Sequence, residues 1–107
     1  MAQAVASRTF AYRYIDSSIS DSSSSAQAYR AIRFDMKKYP NAVAAASLTQ
    51  GEVLFYNNKP ITAVFSASNG GRTYSSKERW GTNFPYLIAK SDPWDSGKKT
   101  GHGVGMS

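Results

Sequence analysis

Cysteine is absent from the 107 residues, which excludes disulfides and cysteine-ligated zinc. Histidine occurs once, at His102, and one imidazole cannot build a two-histidine metal centre. No metal and no cofactor are therefore expected. Glutamate is scarce, with only Glu52 and Glu78 present. Glu52 falls at the start of a strand, and Glu78 closes Ser75-Ser76-Lys77-Glu78, the spacing of a capping box, so neither is the preferred general acid. No G-x-S-x-G elbow precedes a serine, which argues against a serine hydrolase. No apolar run reaches the length of a membrane span, and no signal peptide is visible. Acidic charge is the scarcer sign: 7 Asp+Glu against 13 Lys+Arg leave a net charge of +6. That balance suits an anionic partner such as nucleic acid, an acidic lipid surface or an acidic wall polymer. The basic residues are spread along the chain and no nucleic-acid motif appears, so a small basic nucleic-acid binder is a remote alternative and no nucleic acid is expected as partner.

What remains is the composition of one small globular domain, 41% hydrophobic and 13% aromatic. Residues 2–15 (AQAVASRTFAYRYI) contain no helix breaker and predict a helix that is small or apolar nearly all round. Arg8 in that setting is either a structural ion pair or a guanidinium lining a cleft, whose fork of donors would hold a carboxylate or sugar hydroxyls. Residues 16–25 form a serine-rich polar loop. Residues 26–32 read as a short strand and 33–39 as a helical turn or two. Pro40 ends that segment, Asn41 is the expected N-cap of a helix over 42–48, and Gly51 sits where a C′ glycine belongs.

Residues 53–56, Asn57-Asn58 and 61–68 predict a β-hairpin. Alternation places Ile61, Ala63, Phe65 and Ala67 toward the core, and Ser66 and Ser68 on the opposite surface before Asn69-Gly70-Gly71. Small hydroxyls beside a Gly-Gly bend make a shallow surface where a sugar could lie flat; an ordinary loop is the alternative. Residues 84–90 predict a strand, and Asp92-Pro93-Trp94-Asp95 a turn. Trp80, Trp94 and Tyr86 are candidates for stacking on sugar rings, or for plain packing. The last eight residues, TGHGVGMS, alternate glycine with His102, Val104 and Met106. They read either as a backbone-lined floor with His102 rising from it, or as a tight crossing of backbone against a sheet. The expected architecture is a single α+β domain, an alanine-rich packed helix and a short second helix against a mostly antiparallel sheet.

Four segments, AQAVASRTFAYRY, GEVLFYNNKPITAVFSASNGGRTYSSKERWG, PYLIAKSDPWD and TGHGVGMS, occur in an order and spacing that resemble the SpoIID/LytB family, the stage II sporulation protein D and amidase-enhancer proteins. The likeness is weakest between residues 16 and 39. It implies an extracytoplasmic, cell-envelope protein, secreted or held by a transmembrane segment outside this chain. It implies peptidoglycan glycan strands as ligand, a cell-wall amidase as possible partner, and lytic transglycosylase chemistry on strands stripped of their peptides. In that family the acid/base glutamate lies upstream of the alanine-rich helix, so residues 1–107 read as one domain truncated at both ends and lacking that residue. The resemblance leaves open whether this chain alone is catalytic. A lone acid suffices there because the sugar's own 6-hydroxyl closes a 1,6-anhydro ring, whereas ordinary glycosidases use a carboxylate pair.

Arg8 matches the arginine of the family helix and carries over as a supporting catalytic residue. Ser66, Ser68, Gly70, Gly71, His102 and Gly103 match cleft motifs and carry over as substrate-binding candidates. Some members bind zinc through Cys and His, which a chain without Cys does not match. A non-catalytic wall-binding or amidase-activating module is the alternative function.

Overall fold

The computed structural model describes residues 1–18 and 37–107. The strand expected at 26–32 and most of the turn expected at 33–39 lie outside the described residues, as does most of the serine-rich loop. The fold is α+β, and the chain forms two compact units, residues 1–61 and 62–107.

In the first unit, helix α1 (Ala2–Tyr12) follows from its alanines and buries Ala6 and Thr9. It ends earlier than expected, and turns follow through Asp16. Helix α2 spans Pro40–Leu48 with Tyr39 as N-cap. The expected start at 42 under an Asn41 cap is thus corrected by two positions, for the cap as for the first helical residue. Pro40 opens the helix, since proline at the first helical position loses no hydrogen bond. Thr9 is wholly buried, donates to the Val5 carbonyl (2.7 Å) and accepts from the Leu54 N–H (3.0 Å), tying α1 to the chain before the hairpin. The hairpin itself is short: β1 (Phe55–Tyr56) and β2 (Lys59–Pro60) pair antiparallel, Phe55 with Pro60 and Tyr56 with Lys59. Asn57 and Asn58 both take positive φ (48° and 60°), the two-residue turn whose twist matches that of paired strands.

The expected second hairpin strand over 61–68 continues for one further bond, Ile61 N–H to Leu54 C=O, and then leaves its partner. The second unit is held by single bridges instead: Phe65 with Met106 and Tyr74 with Val104, both parallel, and Ser68 with Thr100 and Arg72 with Ser91, both antiparallel. The strand expected at 84–90 is not formed; that segment donates and accepts isolated bonds to residues 73 and 76. Its core is small. Ala63, Leu87 and Val104 are its buried apolar residues among those described, joined by the wholly buried Asn69 and Ser76. The predicted alternation holds for Ala63 and fails for Ala67, which is exposed. Helix α3 (Ser76–Trp80) carries the expected capping box and ends on Gly81 at φ 74°.

The glycine-alternating end makes this unit possible. A Cβ added at Gly105 would stand 2.1 Å from the Val64 carbonyl oxygen, so only glycine lets the two backbones lie this close. Of the two readings of the last eight residues, this is the tight crossing of backbone.

Candidate functional site

In the first unit, Arg8 reaches from α1 to the C-terminal end of α2. Its guanidinium donates to the carbonyls of Ala46 (3.2 Å), Thr49 and Glu52 (3.1 Å). Ala46 lies in the last turn of α2 and Thr49 is its C-cap, at the negative pole of the helix dipole, while Glu52 follows beyond the turn after the helix. The expected structural role is present, but with carbonyls rather than a carboxylate as its partners. The same side chain, with Ala11, Tyr12, Ile15, Gly51 and Val53, lines an open groove of about 500 Å³.

In the second unit, Ser68-Asn69-Gly70-Gly71 and Asp92–Asp95 lock onto each other. Asp95 accepts from Ser68 Oγ (2.8 Å), the Asn69 N–H (2.6 Å) and the Gly97 N–H (3.2 Å). Those bonds, the Ser68 hydroxyl first, hold its carboxyl below the usual aspartate range. Buried Asn69 donates its side-chain amide to Asp92 (2.7 Å) and accepts from the Gly71 N–H (2.9 Å). Gly70 donates to Ser68 Oγ at 3.3 Å. The Ser66 Oγ is enclosed without a hydrogen-bond partner, and Gly101 lies against this residue, where a Cβ would meet the serine Cβ at 3.2 Å. The surface expected from the two serines is therefore corrected. One hydroxyl is sealed and the other is spent on Asp95.

Around the glycine stretch a different set converges. His102 Nδ1 accepts from the Val104 N–H (3.0 Å), and its ring packs on Trp80, centroids 5.3 Å apart. Burial pushes its pKa below the ordinary histidine value, the neighbouring Phe65 carbonyl opposing and Arg79 assisting. Gly103, buried beside it, accepts from the Tyr74 N–H (2.8 Å). The Lys99 stem runs across Gly70 and Gly103: Cβ atoms there would lie 3.3 Å from Lys99 Cβ and 3.4 Å from Lys99 Cδ. Its ammonium sits 3.5 Å from the Tyr74 ring centroid, and the Arg72 guanidinium 5.8 Å from the same ring. The Tyr74 phenol is lowered from its ordinary value, chiefly by its hydrogen bond to Lys99 and then by that residue's charge.

Gly70, His102 and Gly103, three of the predicted residues, thus border one surface; Ser68 and Gly71 belong to the aspartate network, and Arg8 lies in the first unit. Lys99, Tyr74, Asp92 and Asp95 were not singled out. The basic run Lys98-Lys99 beside a glycine stretch was the signal for Lys99, while the aspartates carry no local signal beyond their turn. Of the possible stacking aromatics, Trp94 is 95% exposed, Trp80 is 43% exposed, and Tyr86 is spent accepting the Thr62 N–H (3.0 Å). Glu78 accepts from the Ser75 N–H (2.8 Å) and pairs with Arg72 (3.0 Å), which drives its pKa down to about 2, the Ser75 bond contributing most. An ionised carboxylate cannot act as a general acid. Among the described residues no cluster of His, Asp and Glu could hold a metal ion.

A family model described as Stage II sporulation protein matches residues 1–56. The chain is 39% identical over 94 residues to the amidase enhancer of Bacillus subtilis (strain 168), covering 88% of this chain and 13% of that protein. It is 33% identical to stage II sporulation protein D of the same strain, over 88% of this chain and 32% of the relative. With stage II sporulation protein D of Bacillus amyloliquefaciens it shares 43% identity over 61 residues, 57% of this chain and 17% of the other. It therefore spans a third or less of the length of these curated relatives. With the family model covering more than half of its residues, the chain belongs to the SpoIID family of stage II sporulation proteins.

Proposed function

We propose that this chain is a peptidoglycan-binding part of a cell-envelope protein acting in sporulation or wall turnover, with both units belonging to one SpoIID-type domain. Its ligand is a peptide-free glycan strand, and the whole protein acts on it as a lytic transglycosylase. The general acid is the glutamate that the family resemblance places upstream of α1; Glu78, held ionised, does not take that role. The observation that carries the reading is the half-exposed Trp80, its ring tilted against that of His102, beside the buried backbone of Gly103. A sugar ring packs its C–H face on an aromatic of this kind. Exposed Trp94 offers a second such face. Ser68, Gly70 and Gly71 act as the frame of that surface, and Arg8, bonded to backbone carbonyls and the Thr49 hydroxyl, keeps a positive charge on the groove of the first unit. An NMR titration with peptide-free glycan strands tests it. Amide shifts centred on Trp80, His102 and Gly103 are expected at millimolar sugar, and a folded protein that shows none overturns the reading.

The 39% identity to a protein named amidase enhancer favours a second reading, in which the chain stimulates a wall amidase without cutting glycan. Adding the chain to a purified wall amidase separates the two. Faster peptide release in the absence of glycan binding supports activation over strand recognition.

A further inference from the structure

Lys99 is a positioned charge. Its stem lies against two glycines, its ammonium rests on Tyr74, and among the described residues no carboxylate pairs with it. Arg72 shares the same ring, but its charge is answered by Glu78 at 3.0 Å. Lys99 and Arg79 are therefore the cations around Tyr74 that no carboxylate answers among the described residues, and Lys99 is the one whose stem is held against glycine, at Gly103 next to His102. We propose that Lys99 and Tyr74 are the specificity-determining residues that read the free lactyl carboxylate of muramic acid. The inference rests on the glycan-binding reading above and adds the chemical basis of its preference for peptide-free strands.

The argument follows from the sugar's chemistry. In intact peptidoglycan the lactyl carboxyl is the acyl half of the amide that carries the stem peptide, and it is neutral. Once the peptide is removed, the same carbon bears a carboxylate. An ammonium and a phenol O–H both donate to a carboxylate in short, charge-assisted bonds, and both gain far less from an amide carbonyl. Holding the lysine stem against backbone reduces the freedom it would lose on binding. The positive field that lowers the Tyr74 phenol is the same field an incoming anion meets. One cation with a phenol suits one carboxylate on a ring; a nucleic-acid backbone would call for a row of phosphate contacts.

The test compares N-acetylmuramic acid with its lactyl N-methylamide, titrated into the 107-residue chain and followed by amide shifts. The acid is expected to bind about tenfold more tightly than the amide, the scale of one charge-assisted contact, with the largest shifts at Tyr74, Lys99 and Gly103. Lys99→Met keeps the apolar stem and removes the charge. It should leave the spectrum folded and abolish the preference, while Lys99→Arg should retain much of it. Equal binding of acid and amide by the unaltered chain overturns the proposal, as does a preference that survives Lys99→Met. Inorganic phosphate or a short oligonucleotide moving the same amides as strongly as the acid also overturns it. If peptide-free strands bind while acid and amide do not differ, only this inference fails. If the strands do not bind at all, the glycan-binding reading fails with it.

Discussion

His102 shows how a single residue is tuned by what packs on it. Trp80 and the surrounding backbone strip water from the imidazole, so the folded state takes up its proton less readily than the unfolded chain, whose histidine has a pKa of about 6.5. Because the folded value is depressed, the neutral ring supports the fold fully above that unfolded value and loses its contribution as pH falls below it. The His102 ring signals are expected to titrate with a midpoint below 6.5, with the thermal midpoint falling as pH drops through the same window. A midpoint at or above 6.5 contradicts this. Arg8 is a second residue whose role is set by its surroundings. Arg8→Met should cost about 2 kcal/mol of stability, the loss of charged donors to three carbonyls at and beyond the end of α2, read by chemical denaturation. Arg8→Lys should recover only part of this, because one ammonium cannot span acceptors that a planar fork reaches together. At this scale the sequence showed that Arg8 could not be a free solvated charge. It could not show that the partners are carbonyls some 40 residues away.

At the scale of elements, α3 was legible because its capping box is a local device: Ser75 and Glu78 satisfy each other within one turn. Ser75→Ala should destabilise the second unit by about 1 kcal/mol. Glu78 adds a pH dependence of the same sign as that of His102, in a more acid window. Its carboxyl is held at about 2, so its stabilisation is present above the ordinary glutamate range, near 4.5, and is lost as pH falls toward 2. In Glu78→Gln the acid limb of a thermal-midpoint profile should flatten between those values. The Gly101–Gly105 stretch was legible as a close backbone approach, though not as to what it approaches. Gly105→Ala would drive a Cβ into the Val64 carbonyl, and loss of cooperative folding in residues 62–107 is expected from amide dispersion. Gly51→Ala is the control. It has a similar φ of 78° but open space around the added Cβ, so it should cost only about 1–2 kcal/mol of backbone strain.

For the molecule as a whole, a net charge of +6 biases the surface toward anionic ligands. Affinity for peptide-free glycan strands should accordingly fall by roughly threefold between about 0.05 and 0.5 M salt, as exposed charges are screened. A glycan affinity indifferent to salt would assign recognition to stacking alone. Composition set this bias and the α+β class. The alanine run set α1, Asn57-Asn58 the hairpin turn, and Ser75–Glu78 the start of α3, because propensities, turn conformations and caps act within a few residues of chain. Tertiary structure decided the rest. It sealed Ser66, spent Ser68 and Asn69 on Asp95 and Asp92, turned Arg8 onto the end of α2, and laid Lys99 across glycine onto Tyr74. Each of those pairs joins segments distant in sequence, and which buried donor meets which acceptor is fixed by how the segments pack, for which no local pattern of residues is a substitute.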